Sequence, residues 1–297
     1  MVSTNKARIY SLYRSLLQKH FYIYSMKKLI CLLSLIALIG FNTNVMAQAG
    51  MTVSPGKLYY KLGPGASATQ KIVVSNPNNK ELEIGVSMND WDYDTLGNNQ
   101  TYDAGTLKNS GSAWIQVMPG SYFTLQPNEK RELDIIFTVP SDANTSIPVH
   151  TAMLFLTQLN PGDAKAQDGT SIKVSVRMGV KIYHSFSQTD ERDIEVVNFT
   201  DILPAKEDKA TGGFLELNLQ NTGKTWLEGK VKWEILNTQT GAKTKLDDQD
   251  IFSLPGDKRI VRQSLPANIA KGKYTATAVI NYGNKDELKL VELEFAR

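Results

Sequence analysis

The residue types that carry most enzyme chemistry are sparse in this chain of 297 residues. Beyond residue 47 the only histidines are His150 and His184, and neither lies in the His-Glu-x-x-His spacing of a zinc protease. There is no Gly-x-Ser-x-Gly nucleophile elbow and no Walker loop, and Gly63-Pro64-Gly65 lacks the third glycine of a dinucleotide loop. The sequence therefore predicts a protein that is not an enzyme and has no metal or cofactor. A carboxylate pair with partners far apart in the chain stays open.

The most acidic cluster is Asp90-Trp91-Asp92-Tyr93-Asp94. A calcium-binding EF-hand loop would need glycine at its sixth position and a carboxylate at its twelfth, where this chain has Thr95 and Thr101. In a β-strand the three aspartates would share one face and the two aromatic residues the other. We therefore predict a solvated acidic face over a buried aromatic one, with His150 and His184 as ordinary sheet residues.

The first 47 residues have the three-part form of a secretory signal peptide. Lys27 and Lys28 precede an uncharged apolar run from Leu29 to Ile39, and Ala47 is a small residue at the expected cleavage point. The apolar run is shorter than the ~20 residues that span a bilayer, so contact with a membrane is expected only through the transient signal peptide. Met26 is a second possible start. These features predict export to the periplasm or the cell envelope.

Removal of this segment changes the charge of the protein. It takes away six Lys and Arg residues and no acidic ones, so the formal charge of +3 becomes −3, from 27 basic and 30 acidic residues. Nucleic-acid binding is not expected, because phosphate recognition needs a basic surface. The single cysteine, Cys31, leaves with the segment, so the mature protein depends on core burial and not on disulfides.

Apolar residues alternate with polar ones along most of the mature chain, which is typical of half-buried strands. Such positions include Leu82, Ile84, Val86 and Met88; Leu133, Ile135, Phe137 and Val139; Leu215, Leu217 and Leu219; Val231, Trp233 and Ile235; and Ala276, Ala278 and Ile280. Gly, Pro and Asn turns separate these runs. The pattern predicts an all-β fold of two immunoglobulin-like β-sandwiches in tandem.

A polar stretch places the domain boundary. We predict a first sandwich over 48–186, a linker over 187–192 and a second sandwich over 193–297. The halves share a loose order of motifs, since each has an Asn turn after an early strand, at Asn76 and Asn221, and a later Leu-Pro element. This order suggests two related modules.

The segment 172–182 has the longest strict alternation, and the apolar positions are Ile172, Val174, Val176, Met178, Val180 and Ile182. A loop rich in Gly, Asp, Ala and Gln precedes it. Two interpretations remain open. The strand could be donated to a partner that lacks a strand, with Ile172, Val174, Val176 and Met178 as the donated side chains. It could equally be a long core strand, because any half-buried strand alternates in this way.

The first half resembles the N-terminal domain of the PapD-like periplasmic chaperones that assemble pili and fimbriae. The matching segments are residues 53–60, residues 73–77, residues 114–119 with 123–127, and the long strand at 172–182. The resemblance covers about residues 52–186, and the second half resembles only generic bacterial immunoglobulin-like envelope domains.

The resemblance implies a function and a site. That family holds the C-terminal carboxylate of a secreted, pilin-like subunit with two basic residues in the cleft between its domains, and lends it the long strand. Carried onto this sequence, the basic residues are Lys57 and Lys181, which would grip a carboxylate by charge-assisted hydrogen bonds. Surface solvation of both lysines stays open. The alternative function is a structural or adhesive envelope module with a cell-wall or surface-protein partner, in which the strand at 172–182 is covered within its sheet and the two lysines point apart.

Overall fold

The computed structural model describes residues 50–165, 169–186, 191–204, 211–284 and 287–297. The predicted signal peptide, residues 1–47, lies outside the described residues, as do positions 187–190 of the predicted linker. None of the described helical segments has both the length and the apolar character needed to cross a bilayer. The described chain is almost wholly β-structure, which confirms the predicted all-β fold class.

The described residues up to Phe186 form two β-sheets, a separate hairpin and a 3-10 turn at Ser112–Trp114. Their strands, in chain order, are β1 (Thr52–Ser54), β2 (Lys57–Lys61), β3 (Ser67–Ser75), β4 (Leu82–Tyr93), β5 (Asn99–Asp103), β6 (Ile115–Met118), β7 (Tyr122–Leu125), β8 (Lys130–Thr138), β9 (Val149–Gln158), β10 (Gly162–Lys165), β11 (Ser171–Val174) and β12 (Arg177–Ser185).

The two sheets of this half pack face to face as a sandwich. One has the order β1-β3-β8-β6, and the other has the order β2-β12-β9-β4, with β5 and β7 both paired to β4. Within this half β2 and β12 run parallel, and the other described ladders are antiparallel. The parallel ladder brings β2, near the start of the described residues, beside the last strand of the sandwich.

The core of the first sandwich lies on the alternating positions that the sequence predicts. Leu133, Ile135 and Phe137 are at most 1% exposed on β8, and Val180 and Ile182 are fully buried on β12. Because inward residues alternate with outward ones along each strand, the two sheets share a single apolar layer. The chain has a single cysteine, Cys31, so this sandwich depends on burial of this kind and not on an intramolecular disulfide.

The strand predicted over 172–182 is two strands, so this part of the prediction is wrong. The chain leaves the sheet at Ser175 and Val176, and β11 pairs with β10 as a two-stranded hairpin. The break occurs where the neighbouring β9 ends, at Gln158. The Gln158 backbone amide donates to the Val176 carbonyl oxygen at 2.9 Å, and the Ser175 hydroxyl donates to the Gln158 carbonyl oxygen at 2.6 Å. With no further β9 residue to pair with, the earlier part of the segment pairs with β10 instead.

The described residues after Asp193 form a second sandwich. Its strands, in chain order, are β13 (Ile194–Ile202), β14 (Phe214–Asn221), β15 (Leu227–Asn237), β16 (Lys243–Lys245), β17 (Gln249–Ser253), β18 (Lys258–Ser264), β19 (Lys273–Asn281) and β20 (Lys289–Ala296). One sheet has the order β13-β14-β18, and the other has the order β16-β15-β19-β20, with β17 paired to β15. No ladder among the described residues joins the two sandwiches.

The two halves carry the same hydrogen-bonded corner, which strengthens the suggestion that they are related modules. In the N-terminal corner, the buried Asn76 donates from Nδ2 to the carbonyl oxygen four residues later at 2.8 Å and accepts at Oδ1 from the amide two residues later at 3.0 Å. In the C-terminal corner, the buried Asn221 makes the same two bonds, at 3.1 and 3.0 Å.

An acidic residue followed two positions later by arginine completes each corner. In the N-terminal corner Glu129 pairs with Arg131 at 2.6 Å, and in the C-terminal corner Asp257 pairs with Arg259 at 2.7 Å. Both acidic residues also accept from a backbone amide three residues earlier, at 2.7 Å. The corners differ in burial, because the Arg131 side chain is 33% exposed and the Arg259 side chain only 5%.

The buried arginine joins the two sandwiches. Arg259 donates from Nη1 to the Asp94 carbonyl oxygen in the turn after β4 and lies over the Tyr93 ring, with 4.8 Å from its guanidinium carbon to the ring centre. The next amide, that of Ile260, donates to the Thr95 carbonyl oxygen at 2.8 Å. The turn of the first sandwich is therefore held at two carbonyl oxygens, by one side-chain donor and one main-chain donor of β18 in the second.

Candidate functional site

Lys57 and Lys181, the two predicted anchor residues, are direct register partners on the parallel strands β2 and β12. The Lys181 amide donates to the Gly56 carbonyl oxygen at 3.0 Å, which fixes this register. Register partners on adjacent strands project to the same face of a sheet. The two lysines therefore share a face, in contrast to the expectation of the envelope-module alternative that they point apart.

Lys181 lies in an aromatic pocket. Its Nζ donates to the Tyr93 hydroxyl at 2.9 Å and lies 4.3 Å from the centre of the Trp91 ring and 4.4 Å from that of Tyr93. The pKa of Lys181 is lowered to about 8, first by burial and then by repulsion from Lys57 and Arg259, and attraction to Glu228 opposes these causes. The aromatic faces stabilise the ammonium form by cation–π attraction. Lys181 is thus a half-buried cation surrounded by aromatic rings.

Lys57 is held by a residue of the second sandwich. Its Nζ lies 2.7 Å from Oε1 of Glu228, and it lies 4.8 Å from the centre of the Phe252 ring. The Tyr59 hydroxyl, two residues along β2, donates to the same carboxylate at 2.9 and 3.0 Å. Burial, and then the hydrogen bond to Glu228, raise the pKa of Tyr59, so its hydroxyl stays a donor at neutral pH. We call Lys57, Tyr59, Tyr93, Lys181 and Glu228 the lysine cleft.

Aromatic rings from both sandwiches form the floor of the lysine cleft. Tyr59 stacks on Tyr183 at 5.2 Å and on Trp226 at 5.4 Å, measured between ring centres. Tyr93 contacts Phe252 at 6.3 Å and its hydroxyl lies 3.1 Å from that of Tyr183. Burial raises the pKa of Tyr93 to about 12. Such ring pairs stabilise a contact by more than their buried area alone would. The lysine cleft therefore lies over a packed aromatic contact between the two sandwiches.

The four predicted donor residues have different environments. Ile172 and Val174 lie on the β10–β11 hairpin and are 42% and 40% exposed. Val176 is half-buried beside Gly50, where an added β-carbon would lie 2.6 Å from its Cγ2. Met178 packs against the core of the first sandwich. The apolar row therefore runs from an exposed end on the hairpin to a covered end in the sheet.

The acidic cluster differs from the prediction in one respect. Trp91 and Tyr93 are buried as expected, but Asp90 is also fully buried. Its carboxylate accepts from the Ser110 and Ser112 hydroxyls, each at 2.6 Å, and from the Leu107 amide at 2.9 Å. Burial raises the pKa of Asp90, but these hydrogen bonds outweigh it, so the pKa lies below its ordinary value. Asp90 is a structural anchor for the segment that returns across β4.

The two histidines also pack inside the first sandwich. His150 and His184 are 3% and 0% exposed, and their ring centres are 5.9 Å apart. His150 lies 4.3 Å from the Trp114 ring, and Nε2 of His184 lies 2.9 Å from the Leu62 carbonyl oxygen. Within the described residues no three His, Cys, Asp or Glu side chains come close enough to hold a metal ion.

Glu228 is the site residue that sequence reasoning missed. It is the second residue of β15 and precedes Gly229, where an added β-carbon would lie 2.1 Å from the Asn281 carbonyl oxygen. This close approach requires glycine and fixes the backbone next to Glu228. No motif marks the residue, because its partners Lys57 and Tyr59 belong to the other sandwich.

Comparison with known proteins finds similar structures but no sequence match. No family model and no curated protein matches the chain. The Escherichia coli chaperone DraB is 14% identical with a TM-score of 0.45, over 82% of this chain and 96% of DraB. A complex of chaperone CsuC and tip adhesion subunit CsuE, from the archaic chaperone-usher Csu pili of Acinetobacter baumannii, matches at 11% identity and a TM-score of 0.43, over 82% and 98%.

A third similar structure has no known function. It is a protein from Porphyromonas gingivalis W83, 14% identical with a TM-score of 0.29, over 84% of this chain and 100% of the other. All three similar structures cover more than 80% of this chain at low identity. Their identity to this chain is too low to transfer the role of any residue.

Proposed function

We propose that the protein is a non-enzymatic periplasmic chaperone that binds a secreted, pilin-like subunit by β-strand addition. In this proposal the lysine cleft holds the carboxylate at the end of the subunit. The observation that supports it most is the register of Lys57 and Lys181, which puts two cations on one face of adjacent strands. Two ammonium groups in a partly desolvated cleft bind a carboxylate more strongly than they would in open water.

The apolar row on the β10–β11 hairpin supports strand addition. Ile172 and Val174 are exposed, and their strand pairs only with β10 among the described residues. An exposed apolar strand can pair with another chain by main-chain hydrogen bonds and by contacts of its side chains. The row leads along β12 to Lys181, so a bound strand would run toward the cleft.

A capture experiment tests this function. The wild-type protein and the variant Lys57→Ala/Lys181→Ala are tagged and recovered from the periplasm of the source cell. A small secreted subunit captured by the wild type and lost in the variant supports both anchors. The control variant Lys71→Ala/Lys130→Ala removes the same charge from the other sheet of the first sandwich, and it should capture as the wild type does.

The alternative is a structural or adhesive envelope module, and the packed aromatic joint favours it. Tyr59, Tyr183 and Trp226 stack across the two sandwiches, as expected for a rigid spacer. Capture of a cell-wall or surface-protein partner that ignores Lys57→Ala/Lys181→Ala would favour this alternative and exclude the carboxylate anchor.

A further inference from the structure

The lysine cleft already contains a carboxylate. Glu228 accepts from Lys57 at 2.7 Å and from the Tyr59 hydroxyl at 2.9 and 3.0 Å, with its side chain 31% exposed. These are the short charge-assisted bonds that an incoming carboxylate would also require. Lys57 therefore cannot offer its full binding capacity to a partner while Glu228 is in place.

The contacts that position Glu228 are rigid. Tyr59, which donates to it, is stacked on Tyr183 and Trp226 and cannot turn freely. The Glu228 backbone is paired with Phe252 in the ladder between β15 and β17, and Gly229 locks the next position against Asn281. Glu228 is therefore fixed at its backbone by the second sandwich and at its carboxylate by the first.

Lys181 is in a different state from Lys57. Among the described residues no carboxylate lies within ion-pair distance of its Nζ, and its hydrogen-bond partner is the neutral Tyr93 hydroxyl. The cleft thus contains one lysine, Lys57, that is paired with a carboxylate, and a second, Lys181, that can still bind an anion. An incoming carboxylate can reach Lys181 first and then exchange with Glu228 on Lys57.

We infer that Glu228 is a built-in occupant of the anchor, which a partner's terminal carboxylate must displace from Lys57. This inference rests on the proposed function. Without a partner, the charge of Lys57 is neutralised by Glu228. The affinity of the cleft for carboxylates is therefore lower than two lysines without this ion pair would give. The same exchange releases Glu228 and breaks one contact between the sandwiches.

The test uses a defined probe because the natural partner is not identified. The probe is a synthetic peptide of alternating valine and threonine with a free terminal carboxylate, and its twin carries a terminal amide. Calorimetry on the full mature protein gives the ratio of the two dissociation constants, which isolates the carboxylate contribution. We expect the wild type to prefer the free carboxylate.

Glu228→Gln should increase that preference about fivefold, because a partly exposed ion pair of this kind contributes only modestly. Glu234→Gln is the matched control, since Glu234 lies on the same strand, pairs with Lys243 at 3.2 Å and is 35% exposed. It should leave the ratio unchanged. Tyr59→Phe, which removes one donor to Glu228 and spares Lys57, should raise the ratio about twofold.

The outcomes separate the two proposals. A wild-type preference for the free carboxylate that neither Glu228→Gln nor Tyr59→Phe increases would overturn this inference and leave the proposed function standing. No preference in the wild type or in either variant would overturn the carboxylate anchor, and this inference with it.

Discussion

The buried histidine pair predicts that the protein loses stability when the pH falls from about 7 to about 5. Burial lowers the pKa of His150 to about 4, with repulsion from His184 as the second cause, and burial also lowers the pKa of His184. Histidine in an unfolded chain titrates near pH 6.5. Between these two values the unfolded chain binds more protons than the folded one, so acid favours unfolding.

The size of the effect follows from the His150 pKa. A histidine that titrates near 6.5 when unfolded and about 4 when folded costs about 2 kcal/mol of the free energy of unfolding between about pH 7 and about pH 5. His184 adds to this with the same sign. The loss begins as the pH falls below 6.5 and is complete near 4. Above neutral pH the pair has no effect, because both states hold neutral imidazoles.

Urea unfolding at a series of pH values measures this effect. Beyond residue 47 the chain has no histidines other than His150 and His184, so NMR of their ring protons on a protein without residues 1–47 gives both pKa values directly. The control variant His150→Phe retains an aromatic ring against Trp114 but cannot titrate, and it should lose the contribution of His150 to the pH dependence while that of His184 remains. Equal stability at about pH 7 and about pH 5, or the same slope in the variant, would refute the reasoning.

Two further predictions concern the C-terminal corner and the hairpin. Arg259→Ala should lower the free energy of unfolding by about 3 kcal/mol, because it leaves the Asp257 carboxylate without its partner, whereas Arg131→Ala in the more exposed corner should cost below about 1 kcal/mol. Equal costs in urea titrations would contradict the difference in burial. Ile172→Asn/Val174→Asn should abolish subunit capture and leave the melting temperature within about 2 °C, since both side chains are exposed. Undiminished capture would exclude the hairpin as the binding edge.

Local sequence patterns predicted the strands well because burial on one side of a sheet imposes period 2 along the chain. Leu215, Leu217 and Leu219 illustrate this, with at most 1% exposure each. The Asn turns at Asn76 and Asn221 were also visible, since each side chain bonds to a backbone amide two residues later. Both kinds of signal depend only on neighbours in sequence.

The features that could not be predicted depend on distant segments. The alternation along β4 predicts that Asp90 faces solvent. The segment that contains Ser110 and Ser112 crosses over Asp90 and buries it. The break at Ser175 is set by the end of β9, which the segment 172–182 does not itself encode.

The lysine cleft was only half predictable. The adjacency of Lys57 and Lys181 was implied by family resemblance, and the register of β2 and β12 agrees with it. Glu228 completes the cleft from the other sandwich. No pattern within one half of the chain could pair it with Lys57.

The hydrogen bonds from β18 to the turn after β4 are accepted by main-chain carbonyl oxygens and not by side chains of that turn. Arg259 and Ile260 bond to the carbonyl oxygens of Asp94 and Thr95, while the Asp94 carboxylate is used within its own turn, by the Leu96 and Asn98 amides at 2.9 and 2.8 Å. Carbonyl oxygens are present whatever residue occupies a position. The Thr95 side chain can therefore be replaced without loss of this contact, whereas replacement of Arg259 removes the hydrogen bond to the Asp94 carbonyl oxygen.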